Sequence, residues 1–109
     1  MNSQFGVVLV TVGSEAEGEA IAAALIEAKL AACVNMFPVK SVYTWEGKVQ
    51  REAEWQLVIK TRLDCYEALA AKVVSLHSYD TPEIIALPIE KGSPDYLTWL
   101  NSQVSPSDF

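Results

Sequence analysis

Residues 39–62 read VKSVYTWEGKVQREAEWQLVIKTR, two extended runs that meet at the two-residue turn Glu46-Gly47. Glycine at the second turn position accepts positive φ, so the chain can reverse within two residues. Val42, Tyr43, Thr44 and Trp45 before the turn are β-branched or aromatic, which suits a pleated surface. Beyond it Trp55, Leu57 and Ile59 alternate with Gln56, Val58 and Lys60, a period of two with one strongly apolar face. This is a long β-hairpin. With a first arm starting near Cys33 it reaches ~40 Å at ~3.3 Å per residue, whereas the helix before it, about 15 residues long, covers only ~23 Å. The hairpin therefore overhangs its own helical layer. A bare two-stranded ribbon is marginal in water, so Tyr43, Trp45 and Trp55 near its far end need a partner. The simplest one is another copy of the chain.

Outward from the hairpin, the remaining segments fall into place. FGVVLVTV, residues 5–12, is a nearly continuous apolar run and reads as a central strand buried on both faces. Ser14 followed by Glu17 forms a capping box that opens a helix, with Ala20, Ile21, Ala24, Leu25 and Ala28 as its inward stripe and Gly18 as a weak point. After the hairpin, Asp64 caps a second helix with Glu67 at its third position, and Tyr66, Leu69, Val73 and Leu76 face inward up to His77. EIIALPI, residues 83–89, is a last strand. Ser93-Pro94 starts a third helix, with Leu97 and Leu100 apolar and Tyr96 and Trp99 packed over a sheet edge. The polar end from Ser102, and residues 103–109 in particular, is expected to fray. Pro38 and Pro88 mark the second and fourth strands as edges, because proline cannot donate to a ladder. The order is βαββαβ plus a C-terminal helix, an α+β, ferredoxin-like sheet with a long hairpin between its second and third strands.

Composition narrows the function. The 109 residues make a single domain, 1–109, half of it apolar, with a net charge of -6. Nucleic acid and anionic membrane surfaces are excluded as partners, since phosphate binding needs clustered Lys and Arg. No apolar stretch reaches 18 residues, so no transmembrane helix is expected. MNSQ has no basic n-region, which points to the cytoplasm. Cys33 and Cys65 form no disulfide framework.

Five separated blocks carry a resemblance: Leu30-Ala31-Ala32-Cys33-Val34-Asn35, Tyr43-Thr44-Trp45-Glu46-Gly47-Lys48, Ile59-Lys60-Thr61, Tyr79-Asp80-Thr81-Pro82-Glu83-Ile84 and Pro94-Asp95-Tyr96-Leu97-Thr98-Trp99. In this order, over nearly the whole chain, they resemble the CutA1 family. The resemblance implies a homotrimer whose hairpins pair between subunits. It also implies likeness to the PII signalling proteins, which bind small effectors in intersubunit clefts. The family is named for divalent-cation tolerance. A copper site credited to some members uses a cysteine at the end of the first strand and two histidines at the end of the second helix. Those positions here are Val10, Leu76 and His77, so only His77 can ligate, and one imidazole is too few for copper.

The binding candidates follow from residue type. Trp45 serves as an intersubunit anchor or, with Glu46 and Lys60, as an aromatic plate and charges for a cationic or amine-bearing ligand. His77 is a helix C-cap, or it joins Tyr79 and Glu83 in a polar cluster at a cleft. Cys33 reads as a buried small hydrophobe, or as a second metal ligand if chains meet. Arg51, Glu52 and Glu54 form a solvated or intersubunit salt-bridge set. No catalytic triad, Cys-His set or glycine-rich phosphate loop is present, so the expectation is a non-enzymatic protein binding a small molecule, with divalent metal, copper foremost, as the alternative.

Overall fold

The computed structural model describes residues 4–105. In chain order the elements are β1 (Phe5–Val12), α1 (Glu15–Glu27), β2 (Cys33–Trp45), β3 (Lys48–Arg62), a 3-10 turn (Leu63–Cys65), α2 (Tyr66–Leu76), β4 (Ile84–Pro88) and α3 (Pro94–Gln103). The four strands form one antiparallel sheet in the order β2-β3-β1-β4. The proline-bearing strands are the edges, as the missing N–H of Pro38 and Pro88 requires. No helix of the described residues is long and apolar enough to cross a membrane.

The core lies between one sheet face and two helices. Ile21 and Leu25 of α1 and Leu69 and Val73 of α2 close over Val8, Val10, Val12, Leu57 and Ile59, all essentially inaccessible to solvent. Each such side chain contributes on the order of 1.5–3 kcal/mol by leaving water. β1 departs from the expected strand buried on both faces: Val8, Val10 and Val12 are buried while Val7, Leu9 and Thr11 are only half-buried. Both helices lie on one side, so the opposite face, carrying Val7, Leu9, Val58, Ile85 and Leu87, stays open within the chain. α3 covers only its Phe5 and Arg62 end. There Leu100 and Val104 pack with Cys65 and Phe5, and Arg62 Nη1 donates to Asn101 Oδ1 at 2.9 Å.

Four local expectations are corrected. Gly18 is not a weak point: it is buried against the sheet, and a Cβ there would sit 3.1 Å from Met36 Sδ and Val12 Cγ2. Its bareness sets how closely α1 approaches. Asp64 does not cap α2. Its carboxylate takes two bonds from Arg62, at 3.0 and 2.6 Å, and this two-bond pair of opposite full charges outcompetes a single backbone N–H. The Arg62 guanidinium accordingly holds the Asp64 carboxyl below its usual range. Leu76 is 44% exposed rather than inward. The chain does not fray at Ser102: α3 runs to Gln103, Val104 is buried, and Ser105 N–H donates to the Lys29 carbonyl at 3.0 Å. The rest of the 103–109 tail lies outside the described residues.

The hairpin does overhang. β1 meets β3 only from Trp55 to Arg62, so the seven pairs from Val39↔Glu54 to Trp45↔Lys48 have no third strand, about 23 Å of ribbon at ~3.3 Å per residue. Its turn has positive φ at both residues, 52° at Glu46 and 76° at Gly47, the type I′ geometry whose twist matches a hairpin. Glutamate is a poor occupant of the left-handed region, which asparagine tolerates. Glu46→Asn is therefore expected to stabilise the fold by about 0.5–1 kcal/mol, read as a higher urea midpoint with unchanged slope.

Candidate functional site

A cleft of about 760 Å³ opens where the ribbon leaves the sheet. One wall is the open face of the hairpin: Tyr43 and Trp45 of β2 with Gln50, Glu52 and Glu54 of β3, which alternation places on the same side. The other wall is the loop of residues 77–83, contributing Tyr79, Asp80, Thr81 and Glu83, with Thr11 at the base.

The loop is held from behind by a clamp of polar contacts. His77 ends α2 with extended backbone, and its side chain is wholly buried. Its Nδ1 accepts the Tyr79 N–H at 3.0 Å, while Nε2 lies 2.8 Å from the Thr11 carbonyl. A carbonyl only accepts, so Nε2 carries the proton and the ring is neutral. From α1, Glu17 takes the Ser78 N–H at 2.8 Å and the Ser78 hydroxyl at 3.0 Å. Ser14 Oγ does cap α1 by accepting the Glu17 N–H at 3.2 Å, but the Glu17 carboxylate goes to the loop instead of completing the capping box.

Held in this way, the Tyr79 ring lies 4.8 Å from the His77 ring, and its hydroxyl donates to Glu54 Oε2 at 2.7 Å. Glu54 is only 7% exposed, so of the two alternatives expected for it the solvated one does not hold. Burial first, then the bond to Glu54 and its charge, pushes the Tyr79 hydroxyl pKa far up, and it stays protonated as a donor. Tyr43 is shifted the same way, by desolvation and then by Glu52.

Of the residues singled out from sequence, Trp45, Tyr79 and Glu83 meet in this cleft. His77 supports it from beneath and offers no free nitrogen in this arrangement. Glu46 sits at the exposed tip and does not line it. Lys60 and Cys33 do not belong to it either. They pair with each other at the far end of the hairpin, level with Val7. Twelve residues of β3 separate Lys60 from Lys48, the partner of Trp45, or ~40 Å of strand. The plate of Trp45 with Lys60 therefore cannot form in one chain. Lys60 Nζ instead donates to Asn35 Oδ1, with Cys33 Sγ 3.8 Å from the same oxygen. His77 and Cys33 are separated likewise: one bonds Thr11, the other is level with Val7, four residues or ~13 Å along β1. In one chain these donors do not fit copper, and among the described residues no group of three His, Cys, Asp or Glu converges on a metal position.

Sequence reasoning missed Thr11, Glu17, Tyr43 and Glu54. Glu52 and Glu54, two apart on one strand, share a face with Tyr43 and Trp45 once the turn fixes the register, and that was the available signal. The partnership of Glu17 with Ser78 spans 61 residues and had none.

Comparison with known proteins gives a consistent answer. Residues 6–103 match the model of the CutA1 divalent ion tolerance protein family. The divalent-cation tolerance protein CutA of Archaeoglobus fulgidus is 43% identical over 97 residues, covering 89% of this chain and 95% of that one. Protein CutA 1, chloroplastic, of Oryza sativa subsp. japonica is 50% identical over 102 residues, but the chain spans only 58% of its length. Among solved structures, CutA1 from Oryza sativa superposes with a TM-score of 0.93 at 48% identity, covering 97% of this chain and 98% of that one. The divalent cation tolerance protein from Thermus thermophilus gives 0.90 at 44%, covering 93% and 99%.

Proposed function

The chain belongs to the CutA1 divalent ion tolerance family, and on that premise we propose that it is a non-catalytic homotrimer of PII-like design. It binds a small molecule in the cleft at the root of each hairpin and acts as a sensor or carrier. The observation that carries this is the cleft itself: about 760 Å³, within the range of small-molecule sites, walled by Tyr43, Trp45 and Tyr79 and set by a polar clamp rather than by a loose loop. Seven hairpin rungs without a third strand and an open apolar face supply the motive for assembly, since three chains can sheathe one another's ribbons. Light scattering is expected to report a particle of three chains, and a thermal-shift screen of metabolites is expected to find a compound whose effect disappears in Tyr79→Ala. A single-chain particle of 11.9 kDa at micromolar concentration, or hits indifferent to Tyr79→Ala, would overturn it.

Direct metal binding is the second reading, favoured by the divalent-cation tolerance for which the relatives are named. A site of that kind has to draw ligands from more than one chain, because Cys33 and His77 of one chain do not meet. Equilibrium dialysis with Cu(I) and Cu(II) decides it: binding unchanged in Cys33→Ser and His77→Ala removes these residues from consideration.

A further inference from the structure

We propose that the cleft selects a small organic cation, a molecule bearing a protonated amine. This rests on the binding reading above and names its ligand class. Among the described residues four carboxylates line the cleft, Glu52, Glu54, Asp80 and Glu83, and no lysine or arginine does. The one ion pair between full charges found among the described residues, Arg62 with Asp64, lies outside the lining, as does the contact of the neutral His77 with Glu17. The excess negative charge is thus left for whatever enters. An anionic effector meets four like charges in a confined space. A bare metal ion meets no converging triad of ligands, and the space far exceeds one ion's coordination shell.

The aromatic lining completes the choice. Tyr43, Trp45 and Tyr79 are respectively 40%, 61% and 36% exposed in the single chain, so nothing within the chain covers their faces. Ring faces add nothing for a hard metal ion, but they attract an ammonium carried on a hydrocarbon body, which also covers apolar ring surface. Glu54 already spends one oxygen on the Tyr79 hydroxyl, so an incoming N–H finds a carboxylate fixed in place with its remaining lone pairs free. Glu52, exposed two rungs nearer the tip, supplies the second acceptor.

The test is calorimetry with 1,4-diaminobutane as probe, against 1,4-butanediol and succinate, at two ionic strengths. The diamine is expected to bind, more weakly at high salt, and to lose about tenfold in affinity in Glu52→Gln, the equivalent of ~1.4 kcal/mol. Glu54→Gln keeps an acceptor for Tyr79 and is expected to lose at least as much, and Glu52→Gln, at an exposed position, guards against a folding artefact. Diol and succinate are expected to be silent. No heat from the diamine overturns the ammonium assignment whatever the particle mass. Succinate or diol binding that Tyr79→Ala abolishes overturns it too, while leaving the cleft in place. A single-chain mass overturns the assembly alone, because diamine binding sensitive to Glu52→Gln still upholds the ligand class.

Discussion

Val58→Glu is expected to reduce the proposed three-chain particle to a single chain. Val58 lies at the centre of the open sheet face, paired with Leu9 on one side and Asn35 on the other. It is only half-buried in the chain, and nothing of α1 or α2 covers it. In a lone protomer a glutamate there reaches water, and the cost to folding stays under about 1 kcal/mol, as for substitutions away from core features. In a closed assembly the same carboxylate is enclosed against apolar neighbours without a cation, at several kcal/mol per site, and the symmetry repeats that cost. Light scattering at micromolar concentration reads the mass, and circular dichroism reads the fold, which is expected to persist. Val74→Glu, on the exposed side of α2 and 56% accessible, is the control and is expected to keep the wild-type mass. A Val58→Glu protein that still runs with the wild-type mass would show that this face is not the interface.

The topology was legible because several local signals agreed. Glu46-Gly47 set the turn, period-two alternation in Trp55, Leu57 and Ile59 set the face, and Pro38 and Pro88 set the edges. Strand alternation also puts Tyr43, Trp45, Glu52 and Glu54 on one side, so half the cleft follows from the register alone. The other half does not, because its residues are chosen by contacts between distant segments. Glu17 has the spacing of a cap, yet satisfies Ser78 across the fold. Asp64 has it too, yet Arg62 two residues away binds it more strongly. Gly18 carries a helix-propensity penalty, and packing sets against it the tight contacts a Cβ would make with Met36 and Val12 at 3.1 Å and with Leu57 at 3.2 Å. Lys60 with Trp45 was paired by chemistry, whereas the length of the strand keeps them at opposite ends.

Leu57→Ala is expected to destabilise the fold by about 2–5 kcal/mol, towards the upper end of that range. Leu57 is fully buried, with Val10 and Met36 as its rung neighbours on either side. The cost of such a deletion depends on how far the surroundings collapse, and collapse is blocked here. β3 is held by ladders on both edges, and Gly18 of α1 above it has no side chain to move in: a Cβ there would lie 3.2 Å from Leu57 Cδ2. Against a total of about 5–15 kcal/mol for a domain, this loss moves the urea midpoint sharply, measured at fixed protein concentration because the proposed assembly would make stability depend on it. The same geometry predicts a coupling. Gly18→Ala in the wild type forces Met36, Val12 and Leu57 to give way, whereas in Leu57→Ala one of these three contacts is gone and the added methyl fills part of the void. Gly18→Ala is therefore expected to be more favourable by about 0.5–3 kcal/mol in the Leu57→Ala background, the range for residues in contact. Equal effects in both backgrounds would mean that α1 can lift off the sheet at this point, and that its glycine does not set the approach.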